Sequence, residues 1–416
     1  MSSDASADKA IETPYSWLRL GISILISAIG GVGMWSVVVA FPAVQAEFGT
    51  ARGGASLSYT AVMLGFAAGG VVMGRLMDRS GIVPPLLLGA VSLGLGYTLA
   101  GFAPNLFVFA AAHGVLIGAL GSSASFGPLL SDLSLFFSKR RGLAVSLCAS
   151  GNYLAGAVWP RVVQHGIETV GWRYTHIGIG LFCVMTLVPL ALLLRRRPPE
   201  QNSIAQNAAV KRAGASLRLS PSVLQTLLFV AGIGCCVAMA MPQVHLVAYC
   251  GDLGYGAARG AEMLSMMLGL GIVSRIASGF VADRFGGLFA LGLGSLMQGL
   301  ALTLFLFFDS LASLYAIAAL FGLFQGGIVP SYAIIVREYF DAKEAGTRVG
   351  VVLMATLVGM AFGGWLSGAI FDWTGSYAMA FFNGVAFNLI NLAIVAFLLV
   401  RGGGPLSVFR VRSVAA

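Results

Sequence analysis

Twelve stretches of about 20 predominantly apolar residues follow one another along this chain. At a rise of about 1.5 Å per residue, each is long enough to cross the hydrocarbon core of a bilayer as a helix. They run over 18–42, 55–77, 83–102, 105–130, 142–165, 173–194, 222–249, 260–282, 287–308, 310–336, 346–371 and 376–400. In lipid every backbone N–H and C=O must be satisfied within the protein, so successive apolar runs of this length predict helices rather than open sheets. The expected fold class is an all-α integral membrane protein with twelve transmembrane helices, numbered below as spans 1 to 12.

Composition agrees. Hydrophobic residues make up 58% of the 416 positions and charged residues only 10%, whereas a soluble surface needs about twice that charge. Mean hydropathy of +0.89 excludes a disordered chain, a coiled coil and an ordinary water-soluble enzyme. The net charge of +9 would suggest nucleic acid in a soluble protein; here the positions of the positive residues argue otherwise. One long polar interruption, 195–220, divides the spans six plus six. The sequence therefore predicts a tail over 1–17, an N-terminal bundle over 18–194, a central loop over 195–220, a C-terminal bundle over 221–400 and a tail over 401–416. With a cytoplasmic N-terminus, 20 of the 25 Lys and Arg residues fall in inside segments. Positive-inside bias therefore predicts both termini in the cytoplasm of a cell membrane, and no nucleic-acid partner. The first 17 residues are polar and hold no signal-peptide core, so span 1 is expected to be a true span. Five cysteines without ligand spacing predict neither a disulfide framework nor a metal site.

An offset of about 204 residues superimposes the two halves. Gly74-Arg75-Leu76-Met77-Asp78-Arg79-Ser80-Gly81 matches Gly279-Phe280-Val281-Ala282-Asp283-Arg284-Phe285-Gly286, sharing G-x-[LV]-x-D-R-x-G after the second span of each half. Pro42 corresponds to Pro242. Two such six-helix repeats imply a pseudo-twofold axis along the membrane normal and a midplane cavity between them. On these residues the chain resembles the major facilitator superfamily over nearly its whole length. Val244-His245-Leu246-Val247-Ala248-Tyr249-Cys250-Gly251-Asp252-Leu253-Gly254 and Pro42…Gln45-Ala46-Glu47-Phe48-Gly49 are similar to bacterial members of the monocarboxylate transporter-like group. That resemblance implies a functional monomer in a lipid bilayer, alternating access and a small organic anion as cargo.

Arg275 constrains the chemistry most. It lies eight residues before Asp283 in span 8, roughly 12 Å from the cytoplasmic end. An arginine held near the midplane normally faces a cavity or a partner, since placing it there costs about 2.5–3.5 kcal/mol. No acid maps to comparable depth, so an anionic cargo can supply the counter-charge. In the resembled family a span 8 arginine binds the substrate carboxylate, and Arg275 occupies that place. Two other readings stay open: a bond to backbone carbonyls, or snorkelling to the cytoplasmic face. The animal members' acidic residue four positions earlier is Gly271 here, and the lysine after the span 1 proline is Ala43. A single carboxylate therefore suits this chain better than two.

Further polar groups at mid-span depth are candidate cargo donors. His245 and Tyr249 share a face of span 7, Gln325 and Tyr332 share a face of span 10, Asn152 and Tyr153 lie in span 5, and Ser122 lies in span 4. Each also reads as an interhelical hydrogen bonder. His113 is a candidate proton-relay residue, or a packing residue of span 4. Gly65, Gly69, Gly70 and Gly74 in span 2 repeat the spacing of Gly359, Gly363, Gly364 and Gly368 in span 11. Packing alone also predicts such glycine faces; superfamily likeness implies that they meet across the halves. It also makes Asp78 a conformational latch on the span 11 N-terminus, with Arg79 and Arg141 beside it and Gly74, Asp283 and Arg284 as related gating positions.

No HExxH, G-x-S-x-G, complete G-x-G-x-x-G or P-loop occurs, so no enzyme activity and no cofactor or metal is expected. The expected function is secondary transport of a small monocarboxylate or related organic anion. Whether the anion brings its own proton, a histidine carries one, or transport is exchange stays open. The alternatives are export of a neutral or amphipathic compound and a non-transporting sensor of the same fold.

Overall fold

The computed structural model describes residues 12–137, 140–196, 219–340 and 342–402, with the side chains of 141, 142, 342, 343 and 345–347 outside that description. Among the described residues there are helices and turns but no strands. Large apolar side chains such as Phe107, Phe280, Phe307 and Val400 point outward and exposed, a surface suited to lipid rather than water.

Span 1 comprises α1 (Pro14–Gly30) and α2 (Val32–Phe48). Thr13 caps α1 by accepting from the Ser16 N–H at 3.4 Å, with Pro14 pre-set for the first turn. Spans 2 and 3 are α3 (Arg52–Ser80) and α4 (Val83–Gly101). Span 4 is not the continuous helix its apolar run predicts. It breaks into α5 (Leu106–Ala111), a π-helical stretch (Ala112–Gly121), a 3₁₀ turn (Ser122–Ser125) and α6 (Gly127–Leu133). Packing accounts for the widened turn. A Cβ on Gly65 would lie 2.0 Å from the Gly114 carbonyl oxygen, and one on Gly69 only 1.9 Å from that of Ala119. The backbones of α3 and the π-helical stretch thus touch without intervening side chains.

Spans 5 and 6 are α7 (Arg141–Ala149) and α8 (Gly151–Leu193). Non-helical Gly171, at φ 81° and ψ 161°, splits α8 in two where the sequence places the turn. For this reason eleven continuous segments among the described residues are long and apolar enough to cross a membrane, Leu143–Leu193 accounting for two spans. The remaining spans are α9 (Pro221–Asp252), α10 (Ala257–Phe285), α11 (Gly287–Leu304), α12 (Leu311–Gln325) with α13 (Ile328–Tyr339), α14 (Ala342–Thr374) and α15 (Tyr377–Arg401).

Two compact units emerge. The first holds Met1–Ser203 together with Leu246–Ser265; the second holds Ile204–His245 and Met266–Ala416. The end of α9 and the start of α10 therefore pack with the first unit.

Backbone geometry carries the internal repeat further than side-chain identity does. Gly49 and Gly254, and Gly81 and Gly286, are each 205 residues apart, and Gly171 and Gly375 are 204 apart; all six have φ between 61° and 88°. Gly81 and Gly286 end α3 and α10, donating to Met77 O and Ala282 O at 2.7 and 2.8 Å. A Cβ is strained in this conformation, so the last glycine of G-x-[LV]-x-D-R-x-G is a stereochemical requirement of the chain reversal.

Part of each glycine face packs within its own unit. Gly65 and Gly69 press on span 4, whereas a Cβ on Gly70 or Gly74 would meet nothing within 4 Å. A Cβ on Gly359 or Gly363 would reach Ile233 O or Val237 O at 2.7 Å, so this face meets α9 within the second unit.

Candidate substrate-binding site

Arg275 sits half-buried in α10. Its Nε donates to the Gly326 carbonyl at 3.3 Å, at the interruption between α12 and α13. Two glycines make that reach possible: a Cβ on Gly326 would lie 2.1 Å from Gly271 O, and one on Gly327 would lie 2.1 Å from Ser278 Cβ. The backbone-carbonyl reading of Arg275 is thus present, with an acceptor in span 10. A carbonyl orients a guanidinium but does not neutralise it.

The other span 10 candidates separate. Gln325 ends α12 and Tyr332 lies in α13, so the shared-face argument for one continuous helix fails at Gly326–Gly327. Gln325 Oε1 accepts from Gln243 Nε2 at 2.6 Å, while its own Nε2 is buried without an acceptor among the described residues. Tyr332 donates to Asn391 Oδ1 at 3.0 Å. Asn391 Nδ2 donates to Ser295 Oγ at 2.7 Å, and Asn388 joins Ser295 O at 2.9 Å to Gln298 at 3.1 Å. Gln243, Gln298, Asn388 and Asn391 were not singled out from the sequence. Uncharged amides inside apolar spans were the signal available for finding them.

His245 is buried, its Nε2 2.8 Å from Gly364 O and its Nδ1 3.2 Å from the Tyr377 hydroxyl. Tyr249 is half-buried on the same helix. In the first unit, Asn152 accepts through its carbonyl from Trp35 Nε1 at 3.4 Å and Tyr153 is buried beside it. Ser122 Oγ is buried with no hydrogen-bond partner among the described residues. His113 is buried in the π-helical stretch, its Nδ1 2.9 Å from Phe109 O.

Among the gating candidates, Asp78 and Arg79 are exposed in the last turn of α3, and Asp283 and Arg284 are exposed in the last turn of α10. The Arg284 guanidinium lies 5.7 Å from the Phe285 ring. The Arg141 side chain lies outside the described residues.

One open cavity of about 440 Å³ in the first unit is lined by Pro42, Gln45, Thr50, Arg52, Ala248 and Asp252, among others. Arg52 and Asp252 form a two-pronged ion pair on its wall. Neither residue is a sequence-derived candidate, because nothing in the sequence brings positions 200 apart together.

A family model described as Major Facilitator Superfamily matches residues 23–297 and 270–412. Monocarboxylate transporter 13 of Bos taurus is 28% identical over 336 residues, spanning 79% of this chain and 76% of that protein. The uncharacterized MFS-type transporter YcxA of Bacillus subtilis is 25% identical over 322 residues, 74% of this chain and 76% of that one. Among solved structures, a bacterial homologue of the human lysosomal transporter Spinster, in an inward-facing and unoccupied conformation, matches with a TM-score of 0.69. It covers 96% of this chain and 98% of that one at 14% identity, a likeness of fold.

Proposed function

The chain belongs to the Major Facilitator Superfamily, and on that premise we propose that it carries a small monocarboxylate or related organic anion by alternating access, with Arg275 as the carboxylate anchor. It is a multi-pass membrane transporter and not an enzyme. The observation that carries the cargo reading is the pairing of charge and orientation at Arg275: a guanidinium deep in α10, steered by the Gly326 carbonyl. Gln325, the residue before Gly326 in the chain, holds a buried Nε2 without an acceptor among the described residues. Both groups carry hydrogen-bond donors of the kind a carboxylate oxygen accepts from. Relatives named as monocarboxylate transporters support the same cargo class.

In this reading Tyr332, His245 and Tyr249, with Asn152, Tyr153 and Ser122, supply secondary polar contacts as helices rearrange. Asp78, Arg79 and Arg141, with Gly74, Asp283 and Arg284, form the conformational latches. His113 belongs to a proton path that makes the carrier a symporter. Positive-inside bias supports cytoplasmic termini in the cell membrane, and family resemblance supports a monomer.

Uptake of labelled pyruvate and lactate into proteoliposomes holding the full chain tests the proposal. Saturable uptake is expected, with Arg275→Ala losing about tenfold or more, the worth of a charge-assisted hydrogen bond. Undiminished uptake in the variant removes the anchor, and no uptake of any monocarboxylate by the wild type removes the cargo class.

A further inference from the structure

Two thiols meet on consecutive residues of α9. Cys235 and Cys236 are fully buried and free, and their sulfurs lie 3.5 Å apart, in van der Waals contact. Consecutive side chains of a helix do not ordinarily face each other, so the contact is imposed by the surroundings. Cys235 Sγ is drawn back along the helix, donating to Gly232 O at 3.3 Å. On the other side α14 closes in: a Cβ on Gly359 would lie 3.0 Å from Cys236 Cβ. Among the described residues no other pair of thiols is in contact; Cys250 has Met263 Sδ as its sulfur neighbour at 3.7 Å. Contact alone would suggest oxidation, but the backbone opposes it. Consecutive Cα atoms are about 3.8 Å apart, short of the roughly 4.4–6.8 Å over which disulfides close without strain. Two sulfurs that touch without being able to join each other make a chelating dithiol.

We propose that Cys235 and Cys236 form a covalent site for trivalent arsenic, taken up as arsenous acid, with one arsenic atom bridging both sulfurs. Each thiol hydrogen leaves with an arsenic-bound hydroxyl as water. Two S–H and two As–O bonds break, two As–S bonds form, and two water molecules are released. Arsenic stays trivalent throughout, so no oxidant or reductant is consumed. Charge neutrality decides the ligand class. A divalent metal ion binds thiolates, so it would carry its charge into a dry span and expel two protons from it. Arsenous acid is uncharged at neutral pH, and so is the bridge it leaves. Trivalent arsenic holds its three bonds in a pyramid, which sets two bound sulfurs close to the contact already present.

The third bond of the arsenic keeps a hydroxyl, and the walls of the pair are polar where that group would lie. The Tyr332 hydroxyl of α13 stands beside Cys235, and the Thr356 side chain of α14 beside Cys236. On the α11 side Gln298 Nε2 donates to Cys235 O at 3.1 Å, while Gln298 Oε1 is buried with no donor among the described residues. A hydroxyl on arsenic is the kind of donor that this oxygen lacks. Arsenic capture on α9 does not depend on which molecule is carried, so it stands or falls apart from the monocarboxylate reading.

Arsenic retention by the full chain, reduced and purified in detergent, tests the site. After incubation with sodium arsenite at neutral pH and desalting into a monothiol, one arsenic per chain is expected to remain, and dimercaprol should release it. A single As–S bond exchanges with a monothiol, whereas a chelate survives it. Cys235→Ser and Cys236→Ser are therefore each expected to lower retention by about tenfold or more, as loss of a two-point attachment implies. Cys148→Ser, Cys183→Ser and Cys250→Ser should keep it. Wild-type protein that stays monodisperse yet retains no arsenic overturns the proposal, as does full retention in either of the first two variants. If a variant does not give monodisperse protein, X-ray absorption at the arsenic edge makes the same decision in the wild type alone. Two sulfur neighbours and one oxygen support the bridge, and any other set refutes it.

Discussion

Arg19 and Asp132, 113 positions apart in the chain, hold each other through two parallel hydrogen bonds of 2.8 and 2.9 Å. Their side chains are 0% and 5% exposed. Arg19 Nη1 lies within donating distance of the Tyr15 hydroxyl and of the carbonyls of Leu194 and Arg196, with Phe136 stacked 4.2 Å from the guanidinium. This one residue ties the start of α1 to α6 and to the end of α8.

Removing one partner strands the other charge. Arg19→Ala or Asp132→Asn is expected to destabilise the first unit by about 3–5 kcal/mol. Thermal unfolding in detergent should show the double variant losing far less than the sum of the singles. Additive losses would mean that the two side chains do not depend on each other.

Arg52 and Asp252 are each at the unfavourable end of a helix: a cation opens α3 and an anion closes α9. Helix dipoles oppose both placements, so each charge leans on the other. The pair is partly exposed, at 12% and 37%, and the expected coupling in a double-mutant cycle is modest, about 0.5 kcal/mol. The charge-swapped chain, Arg52→Asp with Asp252→Arg, keeps the pair and puts both charges at favourable ends. It should melt at or above the wild-type temperature. A swap that melts below both single variants would refute this account.

Adjacent glycines in α3 should behave oppositely. Gly69→Ala places a methyl group 1.9 Å from the Ala119 carbonyl oxygen, while Gly70→Ala meets open space. The first is expected to cost roughly 3 kcal/mol or more as two backbones separate. The second should be neutral, or stabilising by about 0.5–1 kcal/mol through helix propensity. Equal melting temperatures for the two variants would contradict the packing described for α3 and the π-helical stretch.

The first and last glycines of the repeated loop motif differ in the same way. Gly81 and Gly286 have φ of 81° and 88°, whereas Gly74 and Gly279 are helical with nothing within 4 Å of a Cβ. Alanine at either final position should cost roughly 1–2 kcal/mol, and at either first position nothing. Melting curves of the four single variants check this, and indifference at Gly81 and Gly286 would show that the turns relax.

Periodic apolar runs and repeated motifs made the spans and the internal duplication legible in the sequence, because burial in lipid imposes length and composition on every helix. The left-handed glycines were legible only as motif letters; their φ values explain why three pairs recur at nearly one offset. The break in span 4 was not legible. Its cause is the carbonyl-to-glycine contact with α3, which leaves no trace in the apolar pattern of residues 105–130. Arg19 reads as one more cytoplasmic positive and Asp132 as an acid near a helix end. Their union depends on tertiary closure over 113 positions. Arg275 was legible as a cation out of place, but its acceptor, the Gly326 carbonyl, is a backbone atom and invisible to any pattern of side chains.

Where Gly65 and Gly69 leave α3 pressed against the carbonyls of Gly114 and Ala119, no flexible side chain is interposed to act as bearing or spring. Friction there is that of main chain on main chain. The π-helical stretch and α3 must therefore travel as one strut in any stroke of the carrier, taking His113 with them.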